Sequence, residues 1–138
     1  MLLGSYFAYR AFRNRLFTIL FILAGIGVTG VGIFPENVLG GTSHHIVSLM
    51  AFLFGGLSAI AAYRIERSPM TYFSIIMGVV TLVFWGFLEL MEGTAASNYL
   101  GLGVGGIERI VAYPLLLWVV GFGGYLMGSS QAESRISN

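Results

Sequence analysis

The 138-residue sequence predicts an all-α membrane protein, a four-transmembrane-helix bundle preceded by a short N-terminal helix or helix stub, with both termini cytoplasmic. Three observations predict it. Hydrophobic residues make up 57% of the chain and charged ones 9%, and the mean hydropathy is +0.85, a balance suited to a bilayer rather than to water. Four apolar runs, over about 16–34, 45–62, 71–91 and 107–127, each come close to the roughly 20 residues that cross hydrocarbon as a helix. Arg10, Arg13, Arg15, Arg64, Arg67 and Arg135 all fall at the same end of these runs, leaving Arg109 alone at the other.

Residues 1–12 begin apolar and are followed by Arg13, the reverse of a signal peptide, in which positive charge precedes the apolar core. Twelve residues of helix reach only about 18 Å against a hydrocarbon core of roughly 30 Å, so this segment is an interfacial helix or a stub. The four longer runs are read as helices because barrel strands are shorter and alternate polar with apolar residues. Lipid also leaves backbone groups no partners but one another, which a helix satisfies within itself. By the positive-inside rule the termini and the loop 63–70 are cytoplasmic, while the loops 35–44 and 92–106 face outward. Residues 1–138 then form one polytopic domain of the cytoplasmic (inner) membrane.

Small residues recur at helical spacing where helices should touch. Ser48, Ala51, Gly55, Ser58 and Ala62 form a stripe on the second helix, Gly25, Thr29 and Gly32 one on the first, and Gly124 with Gly128 a GxxxG on the fourth. Such stripes let backbones approach closely where lipid supplies little hydrophobic drive. An intrachain bundle is the expected use, with a homo-oligomer or partner helices as the alternative. Pro114 implies a kinked last helix beginning near Ile107, because a helix opening at the proline would extend only about 22 Å to Gly128. Gly101, Gly103, Gly105 and Gly106 ahead of it read as a flexible loop or a short re-entrant turn.

The absence of cysteine excludes disulfides, thiolate metal sites and cysteine nucleophiles; lysine and aspartate are absent as well. Seven arginines against six glutamates give a net charge of +1, too balanced for a nucleic-acid surface. Membrane lipid is the default partner.

Most of the other ionisable groups gather at the end opposite the arginines. Measured from the arginine-rich end, His45, Glu89 and Arg109 lie about 27 to 29 Å along their helices, at one height near the outer boundary. Glu92 follows Glu89 by one turn, His44 precedes Ser48 by one turn, and Tyr113 follows Arg109 by one turn. Ionisable groups beside hydrocarbon point into the bundle or a wet cavity and pair there, so a Glu89–Arg109 pair, or Glu108–Arg109 with a histidine, is expected. Together these place an outer-leaflet polar pocket among Glu36, His44, His45, Glu89, Glu92, Glu108, Arg109 and Tyr113.

Three uses of this pocket are open. Its groups can be ion pairs and helix-end hydrogen bonds that fasten the outer loops. They can bind a head group, with Arg109 as anchor and Tyr113 and the histidines as donors; the nearby glutamates then favour a zwitterion or a cation over a pure anion. Or they can form a metal centre, with imidazole from His44 or His45 and carboxylate from Glu36, Glu89 or Glu92, ligands that suit zinc or another divalent metal. Adjacent histidines diverge by about 100° on a helix, so both can ligate only at an irregular helix start. Neither HExxH nor a His-x3-His pair occurs. No other cofactor is identified, since a bis-histidine haem would need histidines on facing helices.

The run Gly32-Ile33-Phe34-Pro35-Glu36-Asn37, then His44-His45, then Gly105-Gly106-Ile107-Glu108-Arg109 with Tyr113-Pro114 and Leu116-Leu117-Trp118, resembles an uncharacterised prokaryotic integral-membrane family, the domain of unknown function 998. The resemblance covers most of the chain. It implies the helical membrane fold and further helix upstream of residue 1, and it carries no established activity onto any residue. The expected function is a non-enzymatic multi-pass protein that binds lipid or a small solute or assembles with a partner. A metal-dependent hydrolase acting on lipid head groups at the outer face is the alternative, and a small-solute transporter the third reading.

Overall fold

The computed structural model of the chain describes residues 4, 6, 9, 13–36, 41–91 and 101–136, with backbone only at 104 and 130–136. The expected all-helical architecture is present among them. Helix α1 spans Arg15–Ile33, α2 Thr42–Ala61 with a further 3-10 turn over Ala62–Arg64, α3 Met70–Met91 and α4 Gly103–Ile136. All four are long and apolar enough to cross a membrane. Of the N-terminal stub only Gly4, Tyr6 and Tyr9 are described, each helical, and the rest lies outside the described residues.

The helix starts follow from local chemistry. Asn14 is extended and its side chain accepts a hydrogen bond from the Phe17 amide at 3.2 Å, satisfying one of the donors that the first turn of α1 leaves free. Gly41 caps α2 at φ 80°, a left-handed conformation in which a Cβ meets the backbone. The last helix begins at Gly103, four residues before the expected Ile107, so Gly105 and Gly106 belong to its first turns and not to a loop or re-entrant turn. Left-handed Gly101 and Gly103 make the turn into it. Pro114 lies inside α4, which continues to Ile136, giving 34 residues and a length of about 51 Å.

Helix α1 packs on α2, α2 on α3 and α3 on α4, while α2 also touches α4. At the arginine-rich end the ring closes through aromatic side chains. Phe17 and Phe21 of α1 meet Trp118 and Phe122 of α4, with centroid distances of 5.4 Å for Phe17–Phe122 and 5.8 Å for an edge-on Phe21–Trp118. Ala59, Ala62 and Leu115 complete this core.

Ala51, Gly55, Ser58 and Ala62 of the expected stripe on α2 are buried. On α1 the contact face keeps the buried Gly25 of the expected Gly25–Thr29–Gly32 but not the other two. Thr29 and Gly32 are exposed, and Gly27 and Gly30 face α2 instead, in line with Phe17, Phe21 and Ala24. The large aromatic rings at the start of α1 choose the face, and the small residues on that face then set the crossing. Between α2 and α3 the crossing lies at Gly56 and Gly78, where a Cβ on Gly78 would stand 2.7 Å from the Gly56 carbonyl oxygen. Gly124 and Gly128 have open space around them, so the GxxxG packs against nothing within the described chain.

Candidate functional site

At the end of the bundle away from the arginine cluster, all four helices line one cleft of about 920 Å³. Val31 comes from α1, Glu36 from the segment after it, and Gly41 from the cap of α2. Helix α2 adds Thr42, His44, His45, Ser48 and Phe52; α3 adds Trp85, Leu88 and Glu89; α4 adds Gly105, Glu108, Arg109 and Ala112. The wall is therefore apolar toward the bundle and ionisable toward the helix ends. This follows from the register: 44, 45, 48 and 52 share one side of α2, and 105, 108, 109 and 112 one side of α4.

Within the cleft His45 Nε2 lies 3.5 Å from Glu89 Oε2, joining α2 to α3. Neither expected pair, Glu89–Arg109 or Glu108–Arg109 with a histidine, is formed among the described residues. Arg109 instead lines the cleft with no ion pair among the described residues, as do Glu108 and Glu36. His44 Nδ1 is 2.8 Å from the Phe34 carbonyl. A carbonyl only accepts, so Nδ1 carries the proton in this bond and Nε2 of a neutral ring is the acceptor left over. His44 thus pins the start of α2 to the end of α1, and His45 turns toward α3. The divergence of adjacent helical side chains separates their tasks.

The cleft gathers Glu36, His44, His45, Glu89, Glu108 and Arg109. Tyr113 is not among its lining residues and is 56% exposed, because it sits about 100° around α4 from Ala112, on the outer side. Glu92 lies outside the described residues. Of the suggested metal ligands His44, His45, Glu36 and Glu89, His45 and Glu89 meet, but among the described residues no three His, Asp or Glu side chains are grouped to hold a metal ion.

A second polar cluster, absent from the sequence reading, occupies the opposite end. Glu66, in the loop between α2 and α3, is only 8% exposed. Ser74 Oγ of α3 donates to Glu66 Oε1 at 2.8 Å, and Trp118 Nε1 of α4 donates to Ser74 Oγ at 2.9 Å. The second carboxylate oxygen, Oε2, is buried with no hydrogen-bond partner among the described residues. Burial pushes the Glu66 carboxyl up from 4.5 to about 7, with the Ser74 hydrogen bond acting in the opposite direction. The one sequence sign was a lone acid between Arg64 and Arg67, which reads as an ordinary solvated loop charge.

Four apolar helices closing around an amphiphilic cleft define a polytopic α-helical membrane protein. Residues 1–125 match the family described as protein of unknown function (DUF998), and the chain belongs to that family. Searches of curated proteins and of solved structures return no match.

Proposed function

We propose that the cleft binds the zwitterionic head group of an amphiphile, with its apolar part against Val31, Phe52, Trp85 and Leu88. The observation that carries this reading is a cleft lined by one guanidinium, Arg109, outside any described ion pair, beside three carboxylates, Glu36, Glu89 and Glu108. Arginine offers a planar fork to a phosphate or carboxylate. The carboxylates, with the Trp85 ring, suit an ammonium. A purely anionic ligand would meet three like charges. The hydrolase reading is weaker on this geometry, since a catalytic zinc needs about three protein ligands and the described side chains offer no such group.

Purified in mild detergent, the protein should retain a zwitterionic phospholipid detectable by mass spectrometry. Arg109→Ala is expected to lower that retention about tenfold, equivalent to about 1.4 kcal/mol, without unfolding the bundle. Equal retention by the two proteins would sink the reading. Stabilisation by the water-soluble glycerophospho-amine alone would identify a free solute as the ligand, and stabilisation only by the intact lipid would identify the bilayer as its source.

The topology that accompanies this proposal places both termini and the Arg64–Arg67 loop in the cytoplasm of a prokaryotic cell and the cleft at the outer face of its inner membrane. Because the chain contains no cysteine, one introduced at Ser97 is expected to react with an impermeant thiol reagent on intact cells. Reaction only after permeabilisation would invert the orientation.

A further inference from the structure

We propose that Glu66 is a proton-binding site whose occupancy is passed through Ser74 to Trp118, coupling pH on the arginine-rich side of the membrane to the packing of α3 against α4. The direction of the chain is fixed by chemistry. An indole N–H can only donate, so Trp118 donates to Ser74; the serine hydroxyl then spends its single proton on Glu66. Three segments are tied in this way: the loop after α2, α3 and α4. Every donor in the chain points to one carboxyl, and the remaining oxygen of that carboxyl is buried without a partner among the described residues.

That orphan oxygen is where the proton binds. A larger cation would need several ligands, and among the described residues no three His, Asp or Glu side chains are grouped to supply them. Among the described side chains, the charged and titratable groups at this end are Arg64, Arg67 and Tyr63 beside Glu66 in the chain, Tyr72 on α3, Tyr125 on α4, Tyr6 and Tyr9 ahead of α1, and Arg13 and Arg15 at its start. All four arginines are exposed, and none forms an ion pair with Glu66 among the described residues. Tyr125 is engaged by the Arg67 amide, its hydroxyl accepting at 3.1 Å. Positive charge opposes a metal cation and a proton alike; the rise of the Glu66 carboxyl comes from its desolvation, which outweighs the Ser74 hydrogen bond.

The two protonation states differ in the strength of the chain. With Glu66 ionised, the Ser74 bond is charge-assisted and polarises the Trp118 bond behind it; with the proton on Oε2, both become ordinary neutral bonds and the desolvation of a charge is removed. The fold raises this carboxyl from 4.5 to about 7, so its contribution to stability is complete below 4.5 and is lost as pH rises through about 7. Glu66 lies outside the membrane-crossing spans, which end at Arg64 and resume at Met70, so the site is on the aqueous side of the bundle core.

The chain has two tryptophans, and Trp85 lies beside the histidines of the cleft, so the test uses a Trp85→Phe protein in which Trp118 is the sole reporter. Its emission is expected to shift with a midpoint at about 7, and Glu66→Gln, which keeps the shape and abolishes the titration, should hold the emission constant from about pH 5 to about pH 9. Ser74→Ala should uncouple the indole and flatten the emission while Glu66 still titrates. The infrared stretch of a protonated carboxyl, followed in the unmodified protein, is the independent readout should Glu66→Gln not fold: it is expected to disappear across the same midpoint. No emission or carboxyl transition in this range, or the same emission transition in Glu66→Gln, would overturn the proposal.

Discussion

Gly27→Val is expected to prise α1 from α2 and to destabilise the bundle by about 3 kcal/mol. A Cβ at this position would stand 2.8 Å from Ala51 Cα and 2.9 Å from the Met50 carbonyl carbon, and it meets the Ala51 amide nitrogen as well. These are backbone atoms, so no rotamer change can make room. The helices must separate, and every contact along α1 and α2 loosens with them. The measurement is reversible unfolding in detergent, with Gly32→Val as control. Gly32 is exposed and has nothing within 4 Å, so its substitution should lie within about 0.5 kcal/mol of the parent. Equal behaviour of the two variants would remove the close crossing as a source of stability.

Trp118→Ala should be the second severe change, at about 4 kcal/mol. The ring is fully buried, stacks on Phe122 at 5.5 Å and meets Phe21 edge-on, so its loss opens a cavity where α1 and α4 close the ring of helices. Trp118→Phe separates packing from hydrogen bonding. It keeps an aromatic ring but withdraws the donor to Ser74, and is expected to cost about 1 to 2 kcal/mol. If the two variants unfold alike, the indole N–H and not the ring volume carries the position. The same unfolding assay gives both values.

The four spans were legible because hydrocarbon imposes a length and a polarity on any segment that crosses it, and the apolar runs met both. The end at which each ionisable side chain sits was legible for the same reason, and so was the common height of His45, Glu89 and Arg109. Which way each side chain turns was not. Tyr113 shares a helical turn with Arg109, yet a difference of one residue from Ala112 carries it to the outside of α4. On α1 two sets of small residues competed, and only the positions of Phe17 and Phe21 against α4 decide between them. Glu66 was hidden for a different reason: a carboxylate in an arginine-rich loop gives no local sign of burial, which arises from Ser74 and Trp118 arriving from distant parts of the chain. The early start of α4 depends on two left-handed glycines, a backbone property that glycine permits without announcing.

The four-walled construction of the cleft has a consequence for biogenesis. Its residues emerge in the order Val31 and Glu36, then His44 and His45, then Trp85 and Glu89, and only at the end Glu108 and Arg109. A nascent chain that has threaded three helices already holds the histidines and two acids of the site but has no guanidinium to answer them. The last helix therefore delivers both the closing wall and the guanidinium, together with a third carboxylate, so a product truncated before it lacks all three. Maturation of the cleft is a single late event in the life of the polypeptide.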